Sequence, residues 1–168
     1  KLVEDISFSW EDQFFIFFED GLTFDGCGNK IIININNYRG AFNNGVYNSY
    51  NNVYHNGVKI MDHTLMFNYK SGFSYITIKN VGVVVPVEQN YNISSYCGWV
   101  CQPGFGIGGR ELLIENCYTN GYVNNYGGGI CGSYTAVLGS ELHIKNCYNL
   151  RESYDGGIIS GYNTANYT

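Results

Sequence analysis

Apolar and polar positions alternate with period two in three stretches of the second half of the chain: Ile76-Thr77-Ile78-Lys79-Asn80, Leu112-Leu113-Ile114-Glu115-Asn116 and Leu142-His143-Ile144-Lys145-Asn146. Such alternation, rich in β-branched residues, predicts short strands with one aliphatic face turned inward. The stretches also align with one another, "ITIKNVGVVVP" on "LLIENCYTNGY" at an offset of 36 and "LLIENCYTNGY" on "LHIKNCYNLRE" at an offset of 30. A second set of columns follows them: "YCGWVCQ" (96–102), "YGGGICG" (126–132) and "YDGGIIS" (154–160), each reading Tyr-x-Gly-x-aliphatic.

Self-similarity at this period marks a stacked-repeat architecture. No stretch shows a 3.6-residue period with caps, so helical repeats are disfavoured. Short strands between Gly- and Asn-rich turns suit a parallel β-helix, its coils about 4.8 Å apart. Gly and Asn recur because corners require positive φ, which Gly adopts freely and Asn more readily than most.

The columns give an independent check. Lys79, Glu115 and Lys145 fall in one column with alternating sign, where like charges would repel. Asn80, Asn116 and Asn146 fall in the next and are expected to form an amide ladder. Glu111 and Glu141 are a like-charged pair expected at an exposed turn. In the first half, Leu22/Phe24 and Ile31/Ile33/Ile35 alternate, and residues 40–60 repeat an aliphatic-then-Asn/Gly rhythm. The expectation is one all-β domain over 1–168 with five to six coils and a height of about 25–30 Å. Residues 1–38 supply an N-terminal cap and first coils, with Trp10 and the acids around it lying across the first coil. Residues 76–168 carry the clearest repeats.

Composition narrows the function classes. The 168 residues are 45% hydrophobic and only 14% charged, with 16 Tyr and 22 Gly. The aliphatic and aromatic content offsets the ordering entropy that a purely Gly/Asn-rich chain could not. A net charge of −5 offers no basic stripe for nucleic acid. No apolar run approaches a membrane span, and "FFIFF" (14–18) is followed at once by Glu19 and Asp20. The chain opens on Lys1 with neither an initiator Met nor a signal pattern, which reads as a processed form or part of something longer. Sequons stand at Asn92 and Asn166.

The opening "EDGLTFDGCGNKIIININ", then "GAFNNG" and "ITIKNVGV", resembles the first coils of pectin-lyase-like right-handed β-helix proteins. The later "GWVCQ", "ENCYTNG", "GGGICG", "KNCY" and "GGIISG" resemble the GLUG-type glycine-rich repeats of surface adhesins. They are more similar still to the Asn-Cys-Tyr/Gly-Gly-Ile repeat proteins of giant DNA viruses. The Cys columns and the Tyr content depart from the bacterial form and favour the viral one. The resemblance implies a single-stranded right-handed parallel β-helix used as a virion or cell-surface component, without catalysis and without a cofactor.

Candidate chemistry is sparse. Cys97-x-x-x-Cys101 lacks zinc-knuckle spacing. Cys101/Cys131 and Cys117/Cys147 instead share columns one coil apart, which reads as a stack of small buried thiols; column neighbours lie within disulfide reach, though parallel geometry aims their Cβ vectors side by side. Cys27 has no sequence partner. A carbohydrate-active β-helix needs two or three converging carboxylates. Asp25 in "FDGCG" reads as a turn residue, and Asp62, Glu88, Glu115 and Asp155 are scattered. His55, His63 and His143 read as surface residues. "GFGIGG" (104–109) lacks the Lys-Ser/Thr of a phosphate loop, and no Thr-x-Thr rows suggest ice binding. The best functional candidates are aromatic: Tyr47, Tyr50 and Tyr54, stacked Tyr118/Tyr148, and nearby Trp99, as an exposed face for glycans or protein partners; the bland reading is that these rings cap and shield the stack.

The function expected is therefore a non-catalytic structural or adhesive protein of a virion or cell surface, or a secreted one, that associates with other subunits or glycans. The competing expectation is a carbohydrate-active β-helix lyase or hydrolase. The last repeat is followed by neither a helix nor a charged cap, so its open edge is expected to meet a partner.

Overall fold

Each alternating stretch forms a strand, and its neighbour is its own repeat. The structure is a computed structural model that describes residues 1–10, 13–44, 72–137, 139–162 and 164. Strands β3 (Thr23–Asp25), β6 (Ile76–Lys79), β8 (Leu112–Glu115) and β10 (Leu142–Lys145) make one sheet in the spatial order β10-β8-β6-β3, all parallel. The register places Ile76 on Leu112 and Leu112 on Leu142, so the offsets of 36 and 30 are those of the backbone pairing. Ile76, Ile78, Leu112 and Ile114 are buried, while Thr77, Lys79, Leu113 and Glu115 on the other face are half-buried.

A second parallel sheet follows after a short corner. It contains β1 (Ile6–Phe8), β4 (Lys30–Ile33), β7 (Gly82–Val84), β9 (Tyr118–Thr119) and β11 (Tyr148–Asn149), in the order β1-β4-β7-β9-β11. β2 (Phe15–Phe17) pairs in parallel with β5 (Phe42–Asn44), and single parallel pairings carry this third row on from Phe42 through Cys101 and Cys131 to Ser160. Another row runs from Tyr38 to Ile93, and Val123 pairs with Ser153 beside it. All sheet pairings among the described residues are parallel, and these residues contain no helix. The protein is all-β, with strands stacked on their own repeats.

The corner between the first two sheets explains the Asn column. Asn80, Asn116 and Asn146 have φ of 54°, 52° and 51°, left-handed values that Asn tolerates better than any other residue but Gly. The next position holds Val81, Cys117 and Cys147, which turn inward; Val81 and Cys117 are fully covered and Cys147 is half-covered.

Gly-Gly-Ile has a different cause. Gly98 pairs with Gly128, and Gly128 with Gly157. At each, a Cβ would strike the carbonyl oxygen three residues on, Cys101, Cys131 or Ser160. The chain doubles back so tightly that only hydrogen fits. The following aliphatic is buried in the first two copies, Val100 and Ile130, and one carbonyl takes two donors: Ile130 N and Cys131 N both reach Ile159 O, at 2.8 and 2.9 Å.

This pairing corrects the third copy of the motif. "YDGGIIS" sits one residue out of the expected alignment, with Ile159 on Ile130 and Ser160 on Cys131. Tyr154 therefore leaves the Tyr126 column, Asp155 O takes the Tyr126 N–H at 2.7 Å, and Ile158 is left 59% exposed.

Aromatic rings fill the core nearest the N-terminus. Phe42 lies 4.7 Å from Phe24 and 5.5 Å from Phe15 between ring centroids. The first repeat is covered by Leu2, which is buried and donates its N–H to Asp25 O at 2.9 Å. Trp10 does not lie across this end as expected; it is 73% exposed, because Ile6–Phe8 pairs along β4 and carries Trp10 beyond the core.

Candidate functional site

Among the described residues, the outer surface of the stacked repeats carries an amide row, a charge row beside it and a set of tyrosine stacks. Asn146 Nδ2 donates to Asn116 Oδ1 at 3.2 Å, Asn116 Nδ2 to Asn80 Oδ1 at 3.0 Å, and Asn80 Nδ2 to Asp25 Oδ1 at 3.1 Å. The row has polarity, since every donor points towards the preceding repeat. Beside it runs a charge row, Asp25-Lys79-Glu115-Lys145, set by the sheet register. Lys79 Nζ lies 3.8 Å from Asp25 Oδ2. Asp25 Oδ1 also takes the Cys27 N–H at 2.9 Å, the side-chain-to-backbone turn expected of Asp-Gly. That backbone donor, then Asn80 and Lys79, hold the Asp25 carboxyl below its ordinary value.

The tyrosines stack between repeats. Tyr118 and Tyr148 have centroids 5.6 Å apart at 15°, Tyr96 and Tyr126 5.3 Å apart at 21°, and Tyr122 and Tyr154 6.3 Å apart at 27°. Gly82 makes room for the first stack, because a Cβ there would stand 2.5 Å from Tyr118 Cζ. Arg151 closes over Tyr122, its guanidinium carbon 4.9 Å from the ring centroid and its Nη1 donating to the Tyr122 hydroxyl at 2.9 Å. The sequence reading missed this arginine, which no spacing links to Tyr122. It equally missed the buried bridge in which Asn43 Nδ2 donates to Gln102 Oε1 at 2.9 Å.

Of the aromatics singled out from the sequence, Tyr118 is half-buried and Tyr148 is 49% exposed, and both belong to the outer stack. Trp99 does not join them. It is fully buried, stacks on Tyr38 at 6.3 Å and donates Nε1 to Tyr122 O at 3.2 Å. The space it fills is opened by Gly121, where a Cβ would lie 2.7 Å from Nε1. Tyr47, Tyr50 and Tyr54 lie outside the described residues, as do His55, Asp62, His63 and Asn166.

All six cysteines are free thiols. Cys101 pairs with Cys131 by backbone and both are buried; Cys117 and Cys147 follow the Asn corner one repeat apart. Cys117 Sγ lies 3.2 Å from Glu115 O, and Cys147 Sγ 3.2 Å from Lys145 O. Burial, then the neighbouring Cys131 thiol, pushes the Cys101 thiol up. Its contact with Cys147, then burial, does the same for Cys117. The arrangement is that of small apolar side chains in a core. Among the described residues no three His, Cys, Asp or Glu side chains are grouped to hold a metal ion. His143 is outward, 3.8 Å from Glu141. "GFGIGG" is a turn in which Gly104, Gly106 and Gly108 take φ of 71°, 73° and 65° while Phe105 and Ile107 are buried between them. No described helix is long and apolar enough to cross a membrane.

Comparison of this chain with protein-family models, with curated proteins and with solved structures finds no match in any of the three.

Proposed function

We propose that this protein is a right-handed parallel β-helix serving as a structural or adhesive component of a virion or cell surface, where it associates with other subunits or glycans and performs no catalysis. The observation that carries the reading is the outer surface itself. Among the described residues, side chains facing out are organised as rows, the Asn ladder and the stacked tyrosines. Parallel pairing of each strand with its repeat, at offsets of 36 and 30 in the second half, supports the helical winding, and the strong preference of parallel crossovers for the right hand supports its sense. Stacked tyrosines flanked by amides offer flat apolar area and hydrogen bonds with little side-chain entropy to lose, which suits sugar rings and protein surfaces.

The test is a glycan array probed with the intact chain, run beside a turnover assay on the polysaccharides that bind. The expected result is binding that Tyr148→Ala weakens severalfold, with no release of new chain ends. Turnover of a bound polysaccharide would overturn the reading in favour of a lyase or hydrolase.

A further inference from the structure

The last repeat differs from those before it in what it leaves uncovered. Leu112 and Ile114 in β8 are fully buried, but their partners Leu142 and Ile144 in β10 are only partly so. Among the described residues β10 is an edge strand, and its orientation fixes which groups face the edge. The carbonyls of Glu141 and Lys145 point back to β8, where they take the N–H groups of Leu112 and Asn116 at 2.7 and 3.0 Å. By strand alternation, the backbone N–H and C=O of Leu142 and Ile144 face outward. An aliphatic edge with unpaired backbone groups invites another strand.

The side chains indicate which one. Down the outer face the charge row runs Asp25, Lys79, Glu115, Lys145, alternating to its end. An acid set against Lys145 would continue the alternation. Glu141 and Lys145 stand at equal distances on either side of His143 in the sequence, all three exposed. A second β10, antiparallel and related by a two-fold axis through His143, places Glu141 of each copy against Lys145 of the other. Leu142 then faces Ile144 of the second copy on the inner side. Backbone parity agrees, because Leu142 and Ile144 become the pair that exchanges hydrogen bonds, while Glu141/Lys145 and His143/His143 become the closer, non-hydrogen-bonded pairs. Centring the axis on Leu142 or Ile144 instead leaves Glu141 and Lys145 without each other, so charge selects one register.

A head-to-tail contact would continue the charge row, with Asp25 of a second copy on Lys145, but it fails at the amide row and at the covered β3 edge. The opposite end is covered by Leu2, and its amide row ends in the acceptor Asp25, while the last repeat ends in the acceptor Asn146 Oδ1.

We infer that the β10 edge is a self-docking surface, joining two copies of this chain end to end through an antiparallel β10–β10 ladder. The inference gives the assembly role proposed above its partner, a second copy of the chain, and rests on that reading.

The test is light scattering after size exclusion on the intact 168-residue chain and three variants. The wild type is expected at twice the 18.9 kDa chain mass. Glu141→Lys and Lys145→Glu should each halve that mass, by setting like charges face to face. The double variant Glu141→Lys/Lys145→Glu should restore it, since the exchanged charges again complement each other. His143→Cys in a Cys27→Ser background gives a second readout: across non-hydrogen-bonded partners about 4.5 Å apart at Cα, mild thiol oxidation should yield a covalent dimer absent from the Cys27→Ser parent. A wild type that remains monomeric at high concentration, or a dimer indifferent to single charge reversal, overturns the interface. Neither result would touch glycan binding by the tyrosine face, so the two proposals fail separately.

Discussion

Asn116 donates its side-chain amide to Asn80 at 3.0 Å, and the two share a left-handed backbone, with φ of 52° and 54°. One residue type meets two demands at this corner, a tolerated positive φ and a link to the repeat on either side. Asn116→Ala and Asn116→Gly separate them. Both lose ladder bonds, at about 1 kcal/mol each. Alanine adds the strain of a left-handed Cβ and should be less stable than glycine by about 1 kcal/mol. Urea unfolding of the two variants measures the difference, and an alanine variant equal to or above glycine would contradict it.

Inside and outside are one residue apart on β8. Ile114 is fully buried, whereas Leu113 faces outward and is half-buried. Ile114→Asp places an unpaired charge in the core and should cost more than about 4 kcal/mol, leaving the chain largely unfolded. The same substitution at Leu113 should cost about 1 kcal/mol or less. Comparable melting temperatures for the two variants would reverse the assigned faces.

Two glycines test two kinds of close approach. At Gly128 a Cβ would meet backbone from two places, the Cys131 carbonyl and Gly161 N, the latter at 2.5 Å. Backbone cannot step aside locally, so Gly128→Ala should cost roughly 3 kcal/mol, at the upper end for overpacking. At Gly82 the obstacle is the ring of Tyr118, 2.5 Å away at Cζ. A side chain can swing, so Gly82→Ala should cost only about 1 kcal/mol while shifting the near-ultraviolet tyrosine signal as the Tyr118/Tyr148 stack opens.

Acid should loosen the end of the ladder formed by Asp25. Its carboxyl is held below the ordinary value of 3.8 by the Cys27 N–H, the Asn80 amide and Lys79. A carboxyl depressed on folding binds fewer protons folded than unfolded. Its contribution is therefore complete above pH 3.8 and lost as the pH falls through the lower, folded value. Asp25→Asn should flatten the pH dependence of the melting temperature below pH 4 and leave it unchanged near neutrality in shape. An identical acid limb in wild type and variant would contradict this role for Asp25.

The second half of the fold was legible because its physical cause is repetitive. Period-two alternation, an Asn at each corner and charges of alternating sign all depend on the residue one repeat away, so misalignment would have broken several columns together. What escaped depends on space rather than on pattern. Trp99 is buried because Gly121 leaves a gap beneath its ring, and nothing in the local alternation distinguishes an inward from an outward indole. The third Gly-Gly-Ile motif slipped by one because its tyrosine is a weaker anchor than its glycine. Gly157 must sit against Gly128 for steric reasons, whereas Tyr154 can stack on Tyr122 instead. In the first half, β3 pairs with β6 across an offset of 54 residues, Asp25 on Lys79, which no near-30 repeat reveals. The thiol stack was visible as columns, and Val81 in line with Cys117 and Cys147 shows why: the position asks for a small apolar side chain.

The central claim is that successive repeats stack in parallel, in register, at an offset of 30 residues between β8 and β10. The most direct measurement is a nuclear Overhauser spectrum of the isotope-labelled chain, with contacts assigned across this strand pair. The account predicts amide-to-Hα contacts linking Leu113 with His143 and Glu115 with Lys145, ring contacts between Tyr118 and Tyr148, and no strong Hα–Hα contacts between the two strands. Strong Hα–Hα contacts between β8 and β10, or contacts at any other offset, would contradict it.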